Sequence, residues 1–191
     1  MSYITDRFDE HIIELLKTGG VGFMPADTVY GLSCSALDES AVNRIYRIKY
    51  RLEGKPFIIL VSDIDQLKLL KIDPREVEPI KQYWPGGLTY ICSAPKTPEW
   101  LQRGTKTLAV RLPNHKELKQ LIKLVGPIVS TSANLYARKP ATSMAEAVKY
   151  FGDKLDFYVD VGKIDGLPST IVRLKSGKLE VLRKGAVKIL D

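Results

Sequence analysis

Cysteine and histidine are scarce in this chain, with two of each among 191 residues. Cys34 and Cys92 are far apart in sequence and form neither a disulfide framework nor a metal-binding pair. His11 and His115 stand outside any ligand motif. A zinc site is therefore not expected, and neither is a Ser/His/Asp or Cys/His nucleophile. No apolar run comes near the roughly 20 residues a membrane-spanning helix needs. The polar opening "MSYITDRFDEH" is unlike a secretory signal, so the expected setting is a reducing cytoplasm. Two nucleotide-binding signatures are also missing. No GxxxxGK[ST] loop is present and no GxGxxG follows a strand, which excludes a P-loop or Rossmann hold on a nucleotide.

The composition that remains, 45% hydrophobic and 27% charged, is that of a folded domain. The length suits one α/β domain over 1–191 with no extra C-terminal domain. A formal charge of +7 favours anionic partners such as nucleotides, acidic metabolites or RNA.

Apolar spacing predicts a helix in "DRFDEHIIELLKTGG" and a buried strand in "VGFM" ending at Pro25. Asp38 can cap a helix through "ESAVNRIYRIKY", with Val42, Ile45, Ile48 and Leu52 as its buried stripe. "PFIILV" follows as a strand, then a helix capped by Asp63, then an irregular helix around Pro79. "LTYICSA" and "TLAVRLP" are strands, "HKELKQLIKLVG" is an amphipathic helix, and "PIVSTSAN" is a strand entering a polar turn. Ser143 caps a helix in "SMAEAVKYFG", and "STIVRL" with "LEVLR" forms a hairpin turning at Ser176-Gly177. Alternating helices and strands with hairpins predict an open, mixed parallel and antiparallel sheet flanked by helices.

Four segments place cations or hydroxyls at strand ends, where ligand sites of open α/β sheets lie. "PADTVYGL" carries Asp27 and Thr28 and fits either a plain turn or a site. "IYRIKYRLEGKPFIILV" crowds Arg47, Lys49, Arg51 and Lys55, just after Arg44. The helix dipole accounts for Lys49, but not for Arg51 and Lys55 beyond the helix end. A bound polyphosphate accounts for both, since arginine offers phosphate a planar fork and lysine a mobile charge. In "TKTLAVRLP", Thr107, Ala109 and Arg111 share a strand face, and Arg111 needs a carboxylate, from the protein or from a substrate. "IVSTSAN" clusters Ser130, Thr131, Ser132 and Asn134, and "GLPSTIV" repeats the theme at Ser169, with Arg183 in "LEVLRKG". Such hydroxyls suit oxyanion ligands and also make ordinary turns.

In this order, "GVGFMPADTVYGLSC", "IYRIKYRLEGKPFIILV", "YWPGGLTYICSA", "LAVRLPNH", "PIVSTSAN", "LPSTIV" and "VLRKGAV" resemble the threonylcarbamoyl-AMP synthase (YrdC-like) family. The resemblance implies a single-domain YrdC/RibB-like twisted sheet with a basic concave ligand face. It implies an L-threonylcarbamoyladenylate synthase, a nucleotidyltransferase. Such an enzyme joins L-threonine, bicarbonate or CO2 and ATP into threonylcarbamoyl-adenylate and pyrophosphate, for N6-threonylcarbamoyladenosine at position 37 of tRNA. Carried over by position, Thr28, Arg111, Ser130 and Ser169 would hold threonine. Lys49, Arg51, Lys55, Thr107, Ser132, Asn134 and Arg183 would meet the nucleotide, with Lys49, Arg51 and Arg183 as the catalytic cations and Mg²⁺ arriving with ATP. Partners implied are tRNA-modifying proteins and double-stranded RNA or tRNA, with no membrane. Two alternatives are an RNA-binding module of this fold and a paralogue that binds nucleotide without threonylcarbamoylation.

This chain departs from the family pattern at several places. Ala26 stands where threonine is usual, Tyr50 where glycine follows the lysine, and Lys55 where some longer members have asparagine. Leu60 stands where those members have histidine, and "NLYARKPATS" replaces a Ser-Gly pair with shorter spacing. Thr142 or Ser143 are the candidates to substitute for that pair.

Overall fold

The computed structural model describes residues 1–52 and 54–189. Ten strands form one sheet: β1 (Tyr3–Thr5), β2 (Gly22–Pro25), β3 (Tyr30–Ser35), β4 (Ile58–Leu60), β5 (Leu88–Ser93), β6 (Thr107–Arg111), β7 (Ile128–Ser132), β8 (Phe157–Val159), β9 (Thr170–Lys175) and β10 (Lys178–Arg183). Their spatial order is β1-β8-β2-β3-β7-β4-β6-β5-β9-β10. The pairs β1–β8, β2–β8, β4–β6 and β5–β9 run parallel, and the other neighbours run antiparallel. The helices are α1 (Glu10–Lys17), α2 (Glu39–Lys49), α3 (Glu99–Gln102), α4 (Lys116–Val125) and α5 (Met144–Phe151).

Local chemistry sets most helix starts. Asp9, Asp38, His115 and Ser143 each accept a backbone N–H in the first turn of the helix they precede. Asp63 does the same for a 3-10 helix over Ile64–Leu70. α2 ends where Tyr50 turns left-handed at φ 52°. Helical periodicity stops there, so Leu52 is 62% exposed instead of completing the buried stripe of Val42, Ile45 and Ile48. The segment around Pro79 is a 3-10 helix over Pro74–Tyr83. The β9–β10 hairpin turns at Ser176 and Gly177, both at positive φ.

Two cores sandwich the sheet. α1 and α4 bury Ile12, Leu16, Leu118, Leu121 and Ile122 against Met24, Leu60, Ile128 and Phe157. Complete burial of each such side chain stabilises by about 1.5–3 kcal/mol. On the other face α2, α3 and α5 cover a larger core that includes Ile59, Val110 and Val129. Four elements have no clear sequence signal: β1, β3, β8 and α3. β3 is buried at every position: Tyr30, Leu32 and Cys34 face the larger core, while Gly31, Ser33 and Ser35 are buried on the opposite face, where such small residues read as a turn. No helix among the described residues is long and apolar enough to cross a membrane.

Candidate functional site

Strand register lays one row of side chains across the middle of the sheet. Ser130 on β7 faces Ile58 on β4, Ile58 faces Ala109 on β6, and Ala109 faces Ile91 on β5. Their neighbours Ile59, Val110 and Val129 point into the larger core. On the face that α1 and α4 cover only in part, the row floors a cavity of about 260 Å³. Thr28, Arg51, Arg111, Ser132, Ser169 and Arg183 also line it. Seven of the predicted site residues, including Ser130, thus converge from six separate stretches of the chain.

The three arginines are held in different ways. Arg111 Nη2 lies 2.7 Å from Asp27 Oδ1, and both side chains are almost fully buried. The contact is one of opposite charges without hydrogen-bond alignment, so Arg111 Nε and Asp27 Oδ1 lack hydrogen-bond partners. Arg111 Nη1 also approaches Thr28 Oγ1 at 3.3 Å. Arg183 instead donates to the Ser169 carbonyl from Nε and Nη2 (3.1 and 2.8 Å), and to Ser169 Oγ at 3.0 Å. Arg51 donates from Nε to the Lys55 carbonyl at 3.2 Å and lies over the Phe57 ring. Asp27 neutralises Arg111, whereas Arg51 and Arg183 rest on neutral groups.

Ser169 is 1% exposed, and its hydroxyl sits between Thr89 Oγ1, 2.8 Å away, and Arg183. The wall beside Thr28 is backbone packed on backbone: a Cβ at Gly166 would lie 2.1 Å from the Thr28 carbonyl oxygen. The Tyr30 hydroxyl ties this segment down by donating to the Gly162 carbonyl and accepting from Val161 N–H, both at 2.8 Å.

Four predicted residues lie outside the cavity lining. Lys55 is exposed, and Thr107 is turned to Thr105 Oγ1 at 3.1 Å. Lys49 is 4% exposed and buried behind the wall. Its ammonium donates to the carbonyls of Ser132 (2.5 Å) and Asn134 (2.6 Å) and to Asn134 Oδ1 (3.1 Å). Asn134 Oδ1 also accepts from Ser132 Oγ at 2.6 Å. Lys49 and Asn134 therefore shape the turn that presents Ser132. Thr142 and Ser143 are committed to the start of α5 through Glu146. Leu60 is 1% exposed in the core beneath α4. Sequence reasoning assigns no site role to Asp27, Thr89, Tyr46 or Phe57. Asp27 alone carries a visible signal, as the carboxylate next to Thr28.

A family model, Sua5/YciO/YrdC, described as telomere recombination, matches residues 14–185. The chain belongs to this family. A Sua5/YciO/YrdC relative from Pyrococcus abyssi, called threonylcarbamoyl-AMP synthase, is 33% identical over 97% of this chain. The chain spans only 57% of that relative's length. The threonylcarbamoyl-AMP synthase of Halorhodospira halophila is 36% identical, covering 87% of this chain and 90% of its own. The crystal structure of P. abyssi Sua5 complexed with L-threonine superposes with a TM-score of 0.85 at 33% identity, over 97% of this chain and 57% of that one.

In this Sua5/YciO/YrdC domain the buried lysine supplies a pH test. Burial, and then the Arg51 charge, pull Lys49 from 10.5 down to about 7, against three acceptors that favour its charged form. Between pH 7 and 10.5 the folded protein then binds fewer protons at this site than the unfolded chain, so its contribution to stability rises with pH. Denaturant titrations of wild type and Lys49→Met from pH 6 to 9 should show their difference moving in favour of wild type above pH 7. The slope should be at most about 1.4 kcal/mol per pH unit. A flat difference from pH 7 to 9 would mean that the three acceptors keep the ammonium charged.

Proposed function

We propose that this chain is a threonylcarbamoyl-AMP synthase, an L-threonylcarbamoyladenylate synthase that uses L-threonine, bicarbonate or CO2 and ATP. The observation that carries the proposal is the union, in one cavity, of a neutralised arginine beside Thr28 with two arginines that keep their charge. In this reading Thr28, Arg111, Ser130 and Ser169 form the threonine end. Arg111, which lines the cavity beside Thr28, faces the amino-acid carboxylate, while Ser169 acts through its own hydrogen bonds as much as by contact. Arg51, Ser132 and Arg183 form the phosphate end, with Lys49 and Asn134 supporting it from behind and Lys55 and Thr107 farther out.

A volume of about 260 Å³ is below the roughly 300–1,000 Å³ usual for a whole drug-sized ligand. It suits threonine and the reacting phosphate, with the adenosine projecting outward. The carbamate formed on the threonine nitrogen attacks the α-phosphorus with its oxygen, the α–β bridging P–O bond breaks, and pyrophosphate leaves. Arg51 and Arg183 stabilise the charge that builds on the phosphoryl oxygens. Mg²⁺ belongs with the triphosphate as part of the substrate. Among the described residues no group of three His, Cys, Asp or Glu could hold a metal. The product is a reactive mixed anhydride, which tRNA-modifying partner proteins would pass to the N6 of adenosine 37 in the cytoplasm.

The test is to incubate the protein with ATP, bicarbonate and L-threonine and to follow pyrophosphate. Release that needs all three substrates is expected. Nucleotide binding without release would favour a paralogue that has lost the reaction. Binding of double-stranded RNA or tRNA with a steep salt dependence, again without release, would favour an RNA-binding module.

A further inference from the structure

Arg51 projects from a connector without regular secondary structure, so the direction of its side chain needs a separate cause. The surroundings supply one. The Arg51 guanidinium carbon lies 5.1 Å from the centre of the Phe57 ring. Phe57 packs on Tyr46 with ring centres 4.1 Å apart and planes inclined by 33°. Tyr46 in turn carries the Arg103 guanidinium, whose carbon lies 4.2 Å from the ring centre. Arg103 is anchored to the same helix by a hydrogen bond from Nη2 to Asn43 Oδ1.

A second link runs through one backbone oxygen. The Lys55 carbonyl accepts from Tyr46 Oη at 2.9 Å and from Arg51 Nε at 3.2 Å. Both aromatic rings are nearly buried, at 3% and 4% exposure. α2 is rigid through its backbone hydrogen bonds, and it carries Tyr46 and Asn43. The column thus transmits the fixed geometry of a helix to a side chain on a loop.

We propose that Tyr46 and Phe57 are positioning residues for Arg51: they hold its guanidinium by one face and by Nε, leaving the terminal nitrogens for a polyphosphate. The physical advantage over a carboxylate partner is electrostatic. An aromatic face and a carbonyl orient a cation without cancelling it, whereas Asp27 neutralises Arg111. The fork that remains matches two phosphate oxygens at once. The inference rests on the polyphosphate reading of this cavity and extends it to residues with no charge of their own.

NMR titration with pyrophosphate reads weak affinities and tests both levels. In wild type, binding should shift the Arg51 Nε–H resonance. Phe57→Leu should weaken pyrophosphate binding about tenfold, the loss expected when a cation–π contact is removed. It should also move or broaden the Arg51 Nε–H signal before any ligand is added, while Phe57→Tyr, which keeps a ring, should restore both. Tyr46→Phe keeps the stack and loses only the hydroxyl, so it should fold even if Phe57→Leu does not, and should move the same signal. In an Arg51→Ala background Phe57→Leu should cost almost nothing further. An equal loss with and without Arg51, or an unmoved Arg51 signal in these variants, would overturn the positioning role while leaving the polyphosphate reading intact. No binding by wild type would overturn the polyphosphate reading, and the positioning role with it.

Discussion

Replacing Arg111 with alanine should cost about 3–5 kcal/mol of stability, because it leaves the Asp27 carboxylate buried without its counter-charge. For a chain of this size that is a fall of roughly 6–20 °C in Tm. The loss has two separable parts. One is the stranded carboxylate, whose side chain is only 6% exposed and whose other oxygen receives just a long 3.4 Å contact from Asn114 N–H. The other, read in binding and not in Tm, is the proposed threonine contact of Arg111 beside Thr28. The double variant Arg111→Met, Asp27→Asn removes both charges and should recover much of the stability, since breaking a buried pair costs more than replacing it. Threonine affinity should stay lost in the double variant. Calorimetry on both proteins decides the matter: recovery of Tm together with recovery of threonine binding would show that Arg111 serves the fold alone.

Arg51→Ala should have the opposite profile. Arg51 is only half-buried, has no carboxylate partner among the described residues, and gives one hydrogen bond to a carbonyl, so its loss should leave Tm nearly unchanged. In the proposed reaction its contribution is to the reacting phosphate, and removal of one preorganised donor to developing charge typically costs about 10²–10³ in kcat. Pyrophosphate release at saturating threonine should fall by that factor. Arg51→Lys should recover only a fraction, because an ammonium restores the charge without the planar fork. A loss of less than about threefold in Arg51→Ala would place the reacting phosphate elsewhere in the cavity. Together the two arginine variants test a division between a residue that holds threonine and the fold, and one that serves chemistry.

Much of this protein is determined within short stretches of chain. The caps at Asp9, Asp38, Asp63, His115 and Ser143 each act on the N–H group three residues ahead. The Ser176-Gly177 turn likewise needs only its own backbone. The ordered blocks of hydroxyls and cations at strand ends are visible for the same reason, since each is a local interruption of an apolar pattern. Charge and burial, by contrast, depend on what arrives from elsewhere in the chain. Lys49 reads as a helix-end cation in sequence, yet Ser132 and Asn134 enclose it in the fold. Arg111 finds its carboxylate at Asp27, on the far side of two intervening strands in the sheet order. The aromatic support of Arg51 exists only once α2 packs beside the connector. Local composition determined which groups were available; the sheet decided whose charge is compensated within the protein, because a guanidinium beside a carboxylate and one beside a ring differ only in their neighbours.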